Sequence, residues 1–417
     1  MNEKKPDAAS YIEEPPYLIS WNLTKQCNLE CDHCYIDAGE KGGKAELSTK
    51  AARLVIDEIA ELNPEGPMLV MTGGEPLLRA DIFELIEYAS SKGIMPVLGT
   101  NATEIDDALA LKLKKSGIAG LGISIDSSSA KGHDDFRGVE GAWLRSIEGA
   151  KAVKRAGLPF QIQFTITREN AEEIEEAALL AKELGAIGIN YFFLVRTGRE
   201  KNNPTSGHRL NAEEHEYILK QIVRLETLYG KDIMVRARCA PLIDRIAREE
   251  SPSSSLTGAG SACIAATGYL RIDPDGFVTP CPYIPPAKNT PNIQTTSLRK
   301  IWEEDSSFIA LRSRAYKNNC GVCELKDSCG GCRARAMAET GDILETDPLC
   351  LYEPKGGIIE TIDTTPQWSA EAEARLQKIP IFLRTMVRKS IERYAAANEV
   401  EVITPALMAE LKKRAIK

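Results

Sequence analysis

From residue 17 to about residue 235 the chain repeats one pattern: a short apolar run, then a longer stretch whose apolar residues recur every three to four positions. The runs 18–23, 68–72, 96–99, 120–125, 160–167 and 190–194 are too short for helices, and turn formers bound them, which predicts buried strands. The intervening stretches 48–62, 81–91, 106–116, 142–156 and 170–184 carry helical periodicity, and several end at the glycine expected past a helix C-terminus. Strand and helix in strict alternation predict a parallel sheet, and six right-handed units would curl into a partial (β/α)6 barrel, so the fold class is α/β. The pattern then breaks. Residues 250–260 are rich in Ser, Gly and Pro and read as a flexible loop; 269–272 and 277–279 flank Asp273-Pro274-Asp275-Gly276 as a hairpin. The divisions predicted are a tail at 1–16, the barrel at 17–235, a cysteine-rich domain at 236–352, a linker at 353–365 and a small helical domain at 366–417. In the last, Thr404-Pro405 reads as an N-cap followed by proline at the first helical position, and Arg384, Arg388 and Lys389 as a basic face.

Composition narrows the functional classes. With 417 residues the chain can bury a substantial core, and 52 basic against 60 acidic residues leaves a net charge of −8, which argues against nucleic acid as a partner. From residue 369 onward ten basic residues face six acidic ones, so the tail is +4 on an acidic protein. No apolar stretch approaches the roughly 20 residues that cross a bilayer, and the start Met1-Asn2-Glu3-Lys4-Lys5 has no signal-like apolar run, so no membrane association and a cytoplasmic location are expected.

Cysteine placement adds the chemistry. Eleven cysteines divide into a tight triplet, Cys27, Cys31 and Cys34, and a dispersed octet, Cys239, Cys263, Cys281, Cys320, Cys323, Cys329, Cys332 and Cys350. Three thiolates can hold three corners of a cubane iron–sulfur cluster and leave one iron open, and eight can close two more cubanes. An odd count without a secretory signal argues against a disulfide framework. For Cys320-x2-Cys323-x5-Cys329-x2-Cys332 alone, a zinc ribbon and an iron–sulfur site are about equally compatible with the spacing.

The triplet follows the first predicted strand in Trp21-Asn22-Leu23-Thr24-Lys25-Gln26-Cys27-Asn28-Leu29-Glu30-Cys31-Asp32-His33-Cys34-Tyr35. This CxxxCxxC motif with an aromatic residue beside its third cysteine resembles the radical S-adenosylmethionine (SAM) superfamily. The ends of later strands supply matching features, as catalytic groups in parallel barrels do. Thr72-Gly73-Gly74-Glu75-Pro76 is similar to that family's loop for the cofactor ammonium, Thr100-Asn101 follows the third strand, and Ser124-Ile125-Asp126 ends the fourth. The resemblance implies that Cys27, Cys31 and Cys34 hold a catalytic 4Fe-4S cluster chelated by SAM. It also implies that Tyr35, Gly73, Gly74 and Glu75 face the cofactor, Glu75 as a charge-assisted partner of its ammonium. Ser124 and Arg137 would then meet its carboxylate end, Asn101 and Asp126 its sugar, and His33 would pack near the adenine.

The octet resembles the SPASM extension that carries auxiliary 4Fe-4S clusters on radical enzymes. That resemblance implies one cluster on Cys320, Cys323, Cys329 and Cys350, and a second, nearer the barrel, on Cys263, Cys281 and Cys332, with Cys239, the cysteine left over, as its fourth ligand. Residues 17–352 further resemble the radical enzymes of alternative heme and heme d1 biosynthesis, through Ile19-Ser20-Trp21-Asn22, Thr279-Pro280-Cys281-Pro282-Tyr283 and Cys329-Gly330-Gly331-Cys332-Arg333-Ala334-Arg335. Residues 368–408 resemble the small C-terminal domain of a protochlorophyllide reductase subunit. The substrate implied is an anionic tetrapyrrole, with reduced ferredoxin or flavodoxin as electron donor. Arg196, Arg199, Arg236 and Arg238 are candidate clamps for its carboxylates; His208 and His215 are candidate ligands of a substrate iron, with solvated helix residues as the expected reading. A peptide maturase that oxidises or crosslinks side chains, and a non-catalytic electron carrier, are the alternative readings.

Overall fold

A computed structural model of the chain describes residues 14–416, apart from 44, 203–206, 258–261, 357–365, 380–386, 389–390, 393 and 396–399. The six predicted strands form with ends within about two residues of expectation: β1 (Leu18–Asn22), β2 (Met68–Thr72), β3 (Met95–Thr100), β4 (Gly120–Ser124), β5 (Phe160–Ile166) and β6 (Gly188–Phe193). A seventh strand, β7 (Met234–Arg238), extends the sheet beyond β6 and runs through the boundary expected at 235/236. Its Met-Val-Arg-Ala-Arg sequence carries too few apolar residues to stand out as a buried run. The expected hairpin is present as β8 (Tyr269–Ile272) and β9 (Val278–Thr279), but β8 also lies parallel to β1, with Leu18 opposite Tyr269 and Trp21 opposite Ile272. The order is therefore β7-β6-β5-β4-β3-β2-β1-β8-β9, parallel except for the last pair. Adding β8 to β1 brings the cysteine-rich region against the strand from which the triplet departs.

Local chemistry explains the helices between these strands. Thr49–Leu62 starts where Ser48 accepts from the Ala51 N–H at 3.3 Å, and Asp107–Lys115 where Asp106 accepts from Leu109 N–H at 2.7 Å. The stretch predicted as one helix over 170–184 begins as a 3-10 turn, Ala171–Glu173, continues as Ile174–Leu184 and ends at Gly185 with φ +82°. Helix and strand meet in a continuous core that includes Ile19, Trp21, Leu69, Leu98, Phe164 and Tyr191. A separate small core, with Ala372, Leu376, Ala395, Ile403 and Met408, holds the C-terminal unit. That unit is not purely helical as expected: Gln367–Trp368 pairs in parallel with Val402–Ile403 between helices Ala370–Gln377 and Pro405–Ile416. Thr404 caps the last helix, its hydroxyl accepting from Leu407 N–H at 3.4 Å. Arg388 is no part of a free basic face, since it lies 4.8 Å over the Trp368 ring and pairs with Glu373 and Glu392; Arg384, Lys389 and the linker from 357 to 365 lie outside the described residues. Among the described residues no helix is long and apolar enough to cross a membrane.

Candidate functional site

The triplet loop leaves β1 at the C-terminal edge of the sheet and is braced from three directions. It closes on itself through Cys27 N–H to Gly39 O at 2.7 Å and Gly39 N–H to Lys25 O at 3.0 Å. The turn after β2 is bonded to it, Gly74 N–H donating to Thr24 O at 2.7 Å and Glu75 N–H to Gln26 O at 2.8 Å. Both glycines are needed for that approach: Gly73 has φ +147°, and a Cβ there would stand 3.0 Å from Thr24 N, while one on Gly74 would meet Cys27 Cβ at 3.0 Å. The segment after β6 forms the third brace. Gly198 (φ +62°) lies against the Cys34 and Tyr35 backbone, and Arg199 donates to Cys31 O at 2.6 Å, to Ala38 O, and to Asp37 at 3.0 Å. Arg199 is thus a buttress of the triplet loop, and its expected role as a substrate clamp is corrected; its contact with the loop, and that of Gly198, was not legible in the sequence because nothing in their spacing ties them to position 31.

Within this loop Cys27 and Cys31 are buried and Cys34 is half-buried. Burial pushes the Cys27 thiol up to about 12 against the pull of the Leu29 N–H, and the neighbouring Cys31, Glu75 and Cys34 push it further in the same direction. Burial also raises Cys31, opposed by Arg137, whose Nη1 lies 3.6 Å from its sulfur. Ala38 N–H donates to Cys34 Sγ at 3.2 Å. The donor set fits a thiolate-bound cluster: three thiols are close enough to repel one another when ionised, and N–H groups aimed at the sulfurs would offset the charge a cluster brings.

The other strand-end residues converge here, several in bonds of their own. Glu75 is fully buried and turned inward, accepting from Leu77 N–H, Asn101 N–H and the Thr100 hydroxyl at 2.9–3.1 Å. The carboxylate staples the β2 turn to the end of β3, because its burial at the sheet edge leaves backbone donors and the Thr100 hydroxyl as its nearest partners. Burial raises its carboxyl to about 7, with those donors opposing. Asn101 bridges to Asn28 at 2.9 Å, half-buried Ser124 ends β4, and Asp126 accepts from Thr165 N–H at 2.7 Å and pairs with Arg137. Arg137 therefore lies between Asp126 and the Cys31 sulfur. His33 stacks on Phe136, ring centroids 4.3 Å apart and 4° from parallel, and burial holds it well below its usual range, reinforced by Arg137.

The octet separates into two groups. Burial pushes the Cys281 thiol far up, and the thiols that add to the effect are Cys239, Cys332 and Cys263. Cys239, reached through a left-handed backbone (φ +59°) just past β7, is raised by burial and then by Cys332 and Cys263. The second group gathers around Cys320: burial raises Cys329, with Cys350 and Cys320 adding, and raises Cys350 to about 11, with Cys320 adding. Cys323 also responds first to burial and, among thiols, to Cys320. N–H donors meet these sulfurs too, Leu325 to Cys323 and Gly331 to Cys329, both at 3.4 Å. Among the described residues no three His, Cys, Asp or Glu side chains crowd one point closely enough for a single metal ion, whereas a cubane asks for one thiolate at each corner.

An aromatic contact joins the triplet to the first group. Tyr35, beside Cys34, meets Tyr283, two residues past Cys281, edge to face with centroids 5.3 Å apart. Asn22 on β1 donates to the Tyr35 hydroxyl at 2.7 Å and accepts from Arg271 Nε on β8 at 2.6 Å. Farther along the mouth, Arg196 reaches Glu339 at 3.8 Å, and Arg238 donates to Asn190 at 3.0 Å. The expectation for the histidines is corrected. His215 is fully buried against Phe193, centroids 4.5 Å apart, and His208 is bonded to Glu169 at 2.8 Å, because the helix face carrying His215 turns to the sheet.

Comparison with known proteins adds the following. Residues 21–181 match the Radical SAM superfamily, 263–332 the SPASM iron-sulfur cluster-binding domain, and 368–412 the family described as Proto-chlorophyllide reductase 57 kD subunit. The chain is 38% identical over 349 residues to the AdoMet-dependent heme synthase of Methanosarcina barkeri, covering 81% of this chain and 97% of that protein. It is 29% identical to the pre-heme d1 synthase of Dinoroseobacter shibae, covering 81% and 86%. Among solved structures, Streptococcus suis SuiB bound to S-adenosylmethionine shares the fold with a TM-score of 0.64 at 18% identity, covering 81% of this chain and 77% of that one.

Proposed function

The chain belongs to the radical SAM superfamily, with a SPASM iron–sulfur extension, and from that premise we propose that it is a tetrapyrrole-modifying enzyme converting porphyrin propionates to vinyl groups. The observation that carries the reading is the likeness to AdoMet-dependent heme synthases over nearly their whole length. The match of the C-terminal unit to a protochlorophyllide reductase subunit points toward the same substrate class. In this reading Cys27, Cys31 and Cys34 hold the catalytic cluster, Cys239, Cys263, Cys281 and Cys332 an inner auxiliary cluster, and Cys320, Cys323, Cys329 and Cys350 an outer one. These lie on a barrel from 17 to about 238 and a SPASM domain from there to 352. Bound together there, a cluster and SAM would supply a 5′-deoxyadenosyl radical.

The protein's own groups act around that chemistry. Gly73 and Gly74 bring the turn after β2 against the triplet loop and leave its backbone to meet the cofactor's amino group, with Glu75 fixing the turn from behind. Ser124 and Arg137 would meet the cofactor's carboxylate end, and Asp126 keeps Arg137 in place. Each propionate that becomes a vinyl group loses one hydrogen atom, one carbon dioxide and one electron. The Tyr35–Tyr283 contact and the Arg271–Asn22–Tyr35 bonds tie the loop just past Cys34 to the segment just past Cys281, and a cluster on the inner thiols would accept that electron. A reduced ferredoxin or flavodoxin supplies the electron that starts each turnover. The test is anaerobic incubation of reconstituted protein with SAM, reductant and iron-coproporphyrin III, followed by mass spectrometry. Stepwise conversion of propionates with matching 5′-deoxyadenosine is expected; 5′-deoxyadenosine with unchanged porphyrin would overturn the substrate and move a peptide ahead of it.

A further inference from the structure

The helix Arg333–Thr340 begins directly after Cys332, and its first turn carries two arginines that are both buried, Arg333 at 1% and Arg335 at 4% exposure. They are balanced differently. Arg335 donates through Nε and Nη2 to the two oxygens of fully buried Asp347 at 2.8 and 2.7 Å, and Asp347 also accepts from Cys332 N–H at 2.7 Å. That pair is neutral as a unit. Arg333 instead meets carbonyl oxygens, Gly331 at 3.3 Å, Ile343 at 3.2 Å and Glu345 at 2.7 Å, and its guanidinium lies 4.5 Å over the Tyr316 ring. Its remaining arm, Nη2, donates to Cys320 Sγ at 3.6 Å. None of these direct partners is a carboxylate; Asp342 senses the guanidinium only through space.

The backbone is shaped for that reach. Gly331 has φ +64°, and a Cβ on it would stand 2.7 Å from Arg333 Nη2 and 3.4 Å from Cys320 Sγ. Any side chain there would push the guanidinium off the sulfur. The group of thiols so approached has an edge near solvent, since Val322 and Leu351, 68% and 45% exposed, stand next to Cys323 and Cys350.

We propose that Arg333 is a positioning residue that raises the reduction potential of the outer auxiliary centre above that of the inner one, and so directs the electron released by the substrate outward. The inference rests on Cys320, Cys323, Cys329 and Cys350 forming one ligand set. Hydrogen bonds and positive charge at cluster sulfurs stabilise the added negative charge of reduction. Beside the inner set the cation of Arg335 is offset by Asp347, and Arg238 donates to Asn190. One electron leaves the inner centre, which is oxidised by one, and enters the outer centre, which is reduced by one. An oxidised one-electron carrier of the ferredoxin or flavodoxin class then takes it from the exposed edge.

The experiment is a potentiometric titration, read by electron paramagnetic resonance, of the full-length reconstituted protein and its Arg333→Gln and Arg333→Lys variants, with iron analysis. The triplet signal is recognised by its response to SAM. Two further centres of unequal potential are expected, with about eight irons beyond the triplet's four. Arg333→Gln should lower the higher potential by about 59 mV, a tenfold change in the one-electron equilibrium, Arg333→Lys by less, and neither should move the lower one. An unmoved upper potential, or equal displacement of both, overturns the proposal. About four auxiliary irons in the parent protein would instead overturn the ligand sets beneath it. Should the variants fail to hold iron, parent protein carrying nitrogen-15 arginine decides: a nitrogen coupling at the higher-potential auxiliary centre is expected, and its absence overturns the proposal.

Discussion

The triplet loop and the octet region solve the same problem, holding thiols together against their mutual repulsion, at opposite scales. Cys27, Cys31 and Cys34 share one loop of eight residues, so the fold need only brace it, through Gly74, Arg137 and Arg199. The octet is drawn from segments between Cys239 and Cys350 and has no common loop, so its grouping depends on β7 ending where it does and on β8 lying against β1. Each region places an arginine 3.6 Å from a cysteine sulfur, Arg137 at Cys31 and Arg333 at Cys320, but the first is paired with Asp126 and the second is surrounded by carbonyls. A local motif can lose one brace and keep its thiols near one another. A dispersed group loses its geometry with its scaffold.

Four measurements would break or sharpen that contrast. The largest effect is expected from Cys31→Ala, which should abolish 5′-deoxyadenosine formation while leaving about eight irons on the octet, by the four-thiolates-per-cubane rule. Iron loss from both regions would mean that they do not fold independently. Asp347→Asn comes next, because it leaves Arg335 buried without its counter-ion and weakens the bond to Cys332 N–H. A cost of about 3–5 kcal/mol in urea unfolding is expected, with octet iron released before triplet iron. Although burial alone would raise it, Arg335 holds the Asp347 carboxyl at about 2, so its contribution is present above the usual carboxylate range and lost as pH falls through about 2.

Arg199→Ala should act on the other side, removing charged hydrogen bonds to Cys31 O and Ala38 O worth about 1.5–3 kcal/mol each. Triplet iron should then be lost to a chelator several times faster with octet iron unchanged; equal loss from both would erase the distinction. The smallest effect is expected for His215, whose two ring nitrogens have no partner among the described residues and whose pKa burial lowers to about 3, with Arg335 adding. The unfolded chain binds a proton there between about pH 6.5 and 3 that the folded protein does not, so this residue makes stability fall as pH falls through that window. His215→Leu should flatten the dependence and add about 1 kcal/mol at neutral pH, since it removes an unsatisfied buried group. An unchanged pH profile would show that the imidazole is not what the core excludes.

Residue order alone determined the alternation of strands and helices, the triplet and its place at the end of the first strand, and the presence of a second cysteine-rich region. Each depends on periodicity or spacing over a dozen or so residues, and contacts of that range form wherever the chain goes. The tertiary structure decided that Glu75 staples the β2 turn, that Arg199 buttresses Cys31 across 168 positions, and that β8 continues the barrel sheet. It also decided that His215 is buried. A side chain's partner is settled by which surfaces the packed core brings within hydrogen-bonding reach. For residues far apart in the chain, that reach is a property of the whole sheet and is written in no local stretch.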